Sequence, residues 1–120
     1  MGDAMGIFGR ISSPDADGFY TTHIVTDSIQ PGAVVAVGIG RIQLLLSRVD
    51  DQIVAFSRRC PHAAGDLSAG ALGRGRVTCP DHGWKFDLRT GRCLWPQDEE
   101  ARLKTYPVRV AAGRVQIKVG

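Results

Sequence analysis

Short apolar runs, each followed by turn-forming residues, dominate the first half of the chain. Phe19 to Thr26 is rich in aromatic and β-branched side chains, which suit a pleated, half-buried surface, and predicts a strand. Gln30-Pro31-Gly32 closes it with a turn. Ala33 to Val37 predicts the next strand, Gly38-Ile39-Gly40 a tight connection, and Ile42 to Val49 a further strand. Asp50-Asp51 turns the chain into Gln52 to Ser57. Turn signals at this spacing, about every 8–12 residues, mark an all-β sandwich or barrel. The pattern returns at Thr105 to Val110, and Ala112-Gly113 leads into a last strand, Arg114 to Val119.

Between these two β-rich stretches the texture changes. Residues 58 to 97 hold all three cysteines, two of the three histidines and six of the glycines. The one strand signal there is Arg76 to Thr78, flanked by two loops. The expectation is a β framework (19–120) carrying a small loop-rich subdomain over about 58–97. Residues 1–18, with Ser12-Ser13-Pro14-Asp15, read as a flexible tail. No segment has a helical period, although the sequence allows helical turns near Asp98 to Leu103.

Composition narrows the class. A chain of 120 residues suits one domain, and 43% hydrophobic residues is ordinary for a globular one. No run approaches the roughly 18 apolar residues of a membrane span. Met1 to Arg10 lacks the apolar stretch of a secretory signal, so a soluble cytoplasmic protein is expected, and separately a monomer. Three cysteines, an odd number, argue against a disulfide framework and favour metal binding by thiolate. The net charge of +3 raises nucleic-acid binding as a question, but the basic residues are scattered and form no run.

The chemistry sits in two short motifs, Cys60-Pro61-His62 and Cys79-Pro80-Asp81-His82. Each offers one thiolate and one imidazole, with a proline that fixes φ and stiffens the loop. A structural zinc site is one reading of such a set. Zinc sites usually pair Cys with Cys and His with His, whereas each loop here mixes the two. That mixture suits two sulfide-bridged irons, one taking both thiolates and the other both imidazoles.

Around these motifs run Cys60-Pro61-His62-Ala63-Ala64-Gly65-Asp66-Leu67-Ser68-Ala69-Gly70, Cys79-Pro80-Asp81-His82-Gly83-Trp84-Lys85-Phe86-Asp87, Thr90-Gly91 and Trp95-Pro96. In these residues the chain resembles the Rieske family from about Phe19 to Val119. The resemblance implies antiparallel sheets with a small cluster-binding subdomain and one [2Fe–2S] cluster. Cys60 and Cys79 would then hold one iron, and His62 and His82 the outer iron. High-potential members carry two extra loop cysteines, hydroxyl side chains near the cluster and a membrane anchor. Here Gly65 and Asp81 stand at the matching cysteine positions, and no hydroxyl follows His82-Gly83. These departures resemble the lower-potential class of bacterial oxygenase systems.

A terminal oxygenase also needs a 2-His-1-carboxylate iron, and only His23 would remain to build it. No G-x-G-x-x-G is present for a dinucleotide. The leading expectation is therefore a ferredoxin, not catalytic alone, that passes electrons from a flavin reductase to a terminal oxygenase. The alternatives are the small subunit of an assimilatory nitrite reductase and a structural metal module. Cys93 reads as a buried small hydrophobe, His23 as filler, and Trp84 and Phe86 as packing under the cluster loop. Trp95-Pro96 resembles a third, covering loop. Gly65, Gly70 and Gly83 are expected to give backbone freedom. Asp81 faces either the cluster or water. Arg58, Arg59, Arg74, Arg76 and Lys85 would form a basic docking rim if they surround the histidine edge.

Overall fold

The computed structural model describes residues 13–119. Its strands are β1 (Phe19–Val25), β2 (Val35–Ile39), β3 (Ile42–Val49), β4 (Gln52–Ser57), β5 (Ala71–Gly73), β6 (Arg76–Thr78), β7 (Lys85–Asp87), β8 (Cys93–Trp95), β9 (Thr105–Tyr106), β10 (Val108–Ala111) and β11 (Arg114–Lys118). They make three sheets in the orders β1-β11-β10, β2-β3-β4-β9 and β5-β6-β7-β8, and every strand pairing is antiparallel. The all-β antiparallel expectation holds.

β3 shows how the consecutive apolar residues Leu44-Leu45-Leu46 fit a strand. Leu44 and Leu46 point into one core with Ile117 and Val115, while Leu45 and Val49 point into another with Phe56 and Phe86. Burial on both faces removes the alternation that a half-exposed strand would show. The second core also contains Cys60 and Cys79, so the framework strand and the metal-binding loops share one interior. Three of the connecting turns carry two successive residues at positive φ: Asp50-Asp51, Arg74-Gly75 and Ala112-Gly113. That is the two-residue hairpin geometry whose twist matches the strands it joins.

Three expectations need correction, and one is extended. The loop-rich insert contains four short antiparallel strands, β5 to β8, where the sequence signalled only β6. Its three-residue strands are too short to show a period, and they are held by their neighbours and by Val77 and Phe86, which are fully buried. The predicted strand Thr105 to Val110 breaks at Pro107, where the chain leaves the β4 sheet for the β11 sheet. Pro107 has no N–H to continue a ladder, and its carbonyl accepts from the Lys118 N–H at 3.1 Å. Gly38 and Ile39 extend β2, leaving Gly40 (φ +60°) to make the turn. Helical turns occur at Thr26–Ser28 and Leu67–Ala69, and none forms at Asp98 to Leu103.

Of the expected tail, residues 1–12 lie outside the described residues. Residues 15–18 are tied down rather than loose. The Asp15 carboxylate accepts from the Asp17 and Phe19 N–H groups and pairs with Arg109. Among the described residues no helix is long and apolar enough to cross a membrane.

Candidate metal centre

The first loop leaves β4 and the second joins β6 to β7, so both start from rigid sheet ends. Their backbones close alike. The Cys60 N–H donates to the Gly65 carbonyl (2.8 Å), and the Ala64 N–H donates back to the Cys60 carbonyl (2.8 Å). In the second loop the Cys79 N–H donates to Trp84 (2.7 Å) and the Gly83 N–H to Cys79 (3.0 Å). Each loop therefore turns on the fourth residue after its cysteine start, Ala64 at φ +59° and Gly83 at φ +77°. A left-handed conformation costs a residue with a Cβ roughly 1–2 kcal/mol. Gly83 avoids that cost, and Ala64 bears it.

The two motifs meet. Ligand atoms of Cys60, His62 and Cys79 lie within 4.8 Å of one another. His82 joins through His62, its Nδ1 3.0 Å from His62 Nε2, and His62 Nδ1 lies 3.1 Å from Cys60 Sγ. Trp84 stacks flat on the His62 ring, with centroids 4.2 Å apart and planes 7° apart, which fixes that imidazole. Both thiols are buried, His62 is half-buried and His82 is exposed. Burial pushes the Cys60 thiol above its ordinary pKa, and the neighbouring Cys79 adds to the shift. A buried thiol such as that of Cys60 resists ionising unless a metal cation compensates. The donor set, two inward sulfurs and two outward imidazoles, fits a two-iron group bound by mixed ligands.

Other expected residues fall elsewhere. Cys93 is buried in the same core, but its thiol points at the carbonyls of Trp95 (3.4 Å) and Pro96 (3.6 Å). His23 is exposed on β1, in a different sheet. Trp95 is half exposed, lies under the Lys85 ammonium (5.8 Å) and adjoins Gly83. Gly65 and Gly70 are not left-handed; a side chain at Gly70 would meet backbone, and one at Gly65 would crowd the Asp81 carboxylate and the Cys79 sulfur. A Cβ at Gly70 would stand 2.4 Å from the Thr78 carbonyl oxygen. Part of the expected basic rim is drawn off. Arg58 is bound by both carboxylate oxygens of Asp66, at 3.0 and 3.2 Å. Arg76 pairs in register with Asp87, and Arg74 sits in the β5–β6 turn, at the opposite end of β6 from Cys79.

Asp66 is the residue that sequence reading missed. Its carboxylate caps the Leu67–Ala69 turn, accepting from the Ser68 N–H (2.9 Å) and hydroxyl (2.6 Å) while holding Arg58. Its signal was present as Asp-x-Ser before a helical turn. The Arg58 guanidinium, then the Ser68 donors, hold its carboxyl far below the usual carboxylate range. A depressed folded pKa stabilises above the ordinary value near 4 and loses that contribution as the pH falls further. Asp66→Ala is expected to cost about 1 kcal/mol at pH 7, as lost caps do. Urea unfolding should show the deficit shrinking as the pH drops from about 4 toward 2. A deficit constant over that range would contradict the assignment.

Three comparisons bear on this geometry. A family model described as the Rieske [2Fe–2S] domain matches residues 21–107. A ferredoxin component of the naphthalene 1,2-dioxygenase/salicylate 5-hydroxylase systems of Ralstonia sp. is 35% identical over 94 residues, covering 78% of this chain and 88% of the relative. Among solved structures, a chain from a complex of reduced oxygenase and oxidised ferredoxin of carbazole 1,9a-dioxygenase matches with a TM-score of 0.70. It is 31% identical and covers 78% of this chain and 95% of its own. A Mycobacterium tuberculosis protein described as an NADH-dependent nitrite reductase small subunit matches with a TM-score of 0.71 at 31% identity, over 85% of this chain and 96% of its own.

Proposed function

The chain belongs to the Rieske [2Fe–2S] domain family, and from that membership we propose that Cys60 and Cys79 ligate one iron and His62 and His82 the other. It carries a [2Fe–2S] cluster and is an electron carrier rather than a catalytic subunit. The proposed donor is a flavin-dependent reductase and the proposed acceptor a terminal oxygenase, each docked transiently on a cytoplasmic monomer. The observation that carries the ligand assignment is the matched closure of the two loops, which turns both thiols inward and leaves His82 exposed.

The cluster, when bound, takes up and releases one electron. The rest is done by the chain. Buried Cys60 and Cys79 exclude water from the inner side. Trp84 holds the His62 ring against the second loop. Exposed His82 is the edge that a partner can approach closely. The same geometry serves a nitrite reductase small subunit, which the M. tuberculosis match keeps as a second reading.

The test is anaerobic purification with iron and acid-labile sulfide assays, followed by redox titration. The expected result is two of each per chain and a midpoint near the bottom of about −150 to +300 mV. The protein alone should not consume NADH; with a reductase and a dioxygenase it should support substrate turnover. A colourless protein with one zinc would sink the cluster reading. Restored nitrite reduction with no oxygenase turnover would sink the choice of partner.

A further inference from the structure

We propose that Asp81 is the residue that sets this site's reduction potential, as a fixed negative charge seated between the two loops; this rests on the ligand assignment above. Asp81 lies between Pro80 and His82 on the second loop, and its side chain crosses to the first. There it occupies the space that a side chain at buried Gly65 would fill. A Cβ on Gly65 would meet Asp81 Oδ2 at 2.6 Å, Asp81 Cγ at 3.1 Å and Cys79 Sγ at 3.0 Å. The carboxylate oxygen and the Cys79 sulfur thus flank one small gap and lie within about 6 Å of each other, the range over which a charge acts strongly on a neighbour.

Among the described residues no cation forms an ion pair with this carboxylate. The ion pairs among the described residues are Arg58–Asp66, Arg89–Asp50, Arg109–Asp15 and Arg109–Asp17, and none includes Asp81. Lys85, the nearest cation in sequence, is drawn over the Trp95 ring. An uncompensated anion beside sulfur ligands opposes the arrival of one more electron. Asp81 is exposed, and even an exposed carboxylate this close to a sulfur ligand shifts a one-electron equilibrium by about tenfold.

The seat depends on both partners. Gly65 supplies the missing Cβ, and the second loop, closed by the Trp84 and Cys79 carbonyls, supplies the direction. A purely packing role would need the shape of Asp81 but not its charge. Asparagine keeps the shape and removes the charge, so it separates the two.

The experiment is redox titration of the holoprotein with electron paramagnetic resonance and visible circular dichroism, for wild type, Asp81→Asn and Asp81→Glu. Asp81→Asn is expected to favour the reduced state about tenfold, a rise of 59 mV for one electron, with the wild-type spectral shape retained. Asp81→Glu, which keeps the charge, is expected to stay near wild type. An Asp81→Asn midpoint equal to or below wild type overturns the proposal. Failure of Asp81→Asn to assemble a cluster overturns it too, since the charge would then serve assembly rather than potential. Failure of the ligand assignment is read separately, from the iron and sulfide content of the wild-type protein.

Discussion

Replacing His82 by alanine leaves a chain that folds but retains no native [2Fe–2S] spectrum, and Cys79→Ser does the same. The two losses have different physical origins. Cys79 is buried at the end of β6, and serine there offers a hydroxyl in place of a thiolate, a poor ligand for an iron–sulfur centre. His82 is exposed and its ring contacts His62, so its removal costs little packing. Loss of the cluster in His82→Ala therefore reports ligation and not collapse, and far-ultraviolet circular dichroism should remain that of the wild type. Cys93→Ala is the matched control. Its thiol faces carbonyl oxygens and lies outside the Cys60, His62 and Cys79 group, so the cluster should survive. Iron and sulfide content and the visible spectrum decide the matter. A full native spectrum in His82→Ala would sink the ligand assignment.

Gly91→Ala is expected to destabilise the fold by about 3–5 kcal/mol, a large part of the roughly 5–15 kcal/mol that such a domain has. Gly91 sits in the β7–β8 turn at φ +78°, where any Cβ costs roughly 1–2 kcal/mol. The space is also taken. A Cβ would stand 2.2 Å from the Leu103 carbonyl oxygen, a backbone atom that cannot swing aside. The Leu103 N–H donates to the Gly91 carbonyl at 2.8 Å, so the collision would pull apart the tether it sits on. Buried Leu103 belongs to the core that holds Cys60 and Cys79, and weakened cluster retention should accompany the loss. Gly113 has nearly the same φ, +76°, but nothing within 4 Å of its would-be Cβ. Gly113→Ala should then cost only the roughly 1–2 kcal/mol conformational term. Urea unfolding of the two variants side by side is the measurement. Equal destabilisation would show that the contact with Leu103 contributes nothing.

Much of this protein was legible in the chain because its decisive features are local. A Cys-Pro-His and a Cys-Pro-Asp-His present thiol and imidazole within four residues, so the donor types could be read without knowing the fold. Ile42 to Val49 is apolar enough to be a strand in almost any context, and Asp50-Asp51 and Ala112-Gly113 announce hairpins through their tolerance of positive φ. Tertiary structure decided what depends on distant partners. Strands of three residues, such as Lys85–Asp87 and Cys93–Trp95, exist because neighbouring strands complete their hydrogen bonds. Pro107 divides one apparent strand between two sheets because a missing N–H matters only once a ladder is there to be interrupted. Arg58 was claimed by Asp66, and Arg74 was carried to the β5–β6 turn. Asp81 could have faced water or the cluster from its own loop alone. The absent side chain of Gly65, sixteen residues away, leaves the space that its carboxylate reaches into.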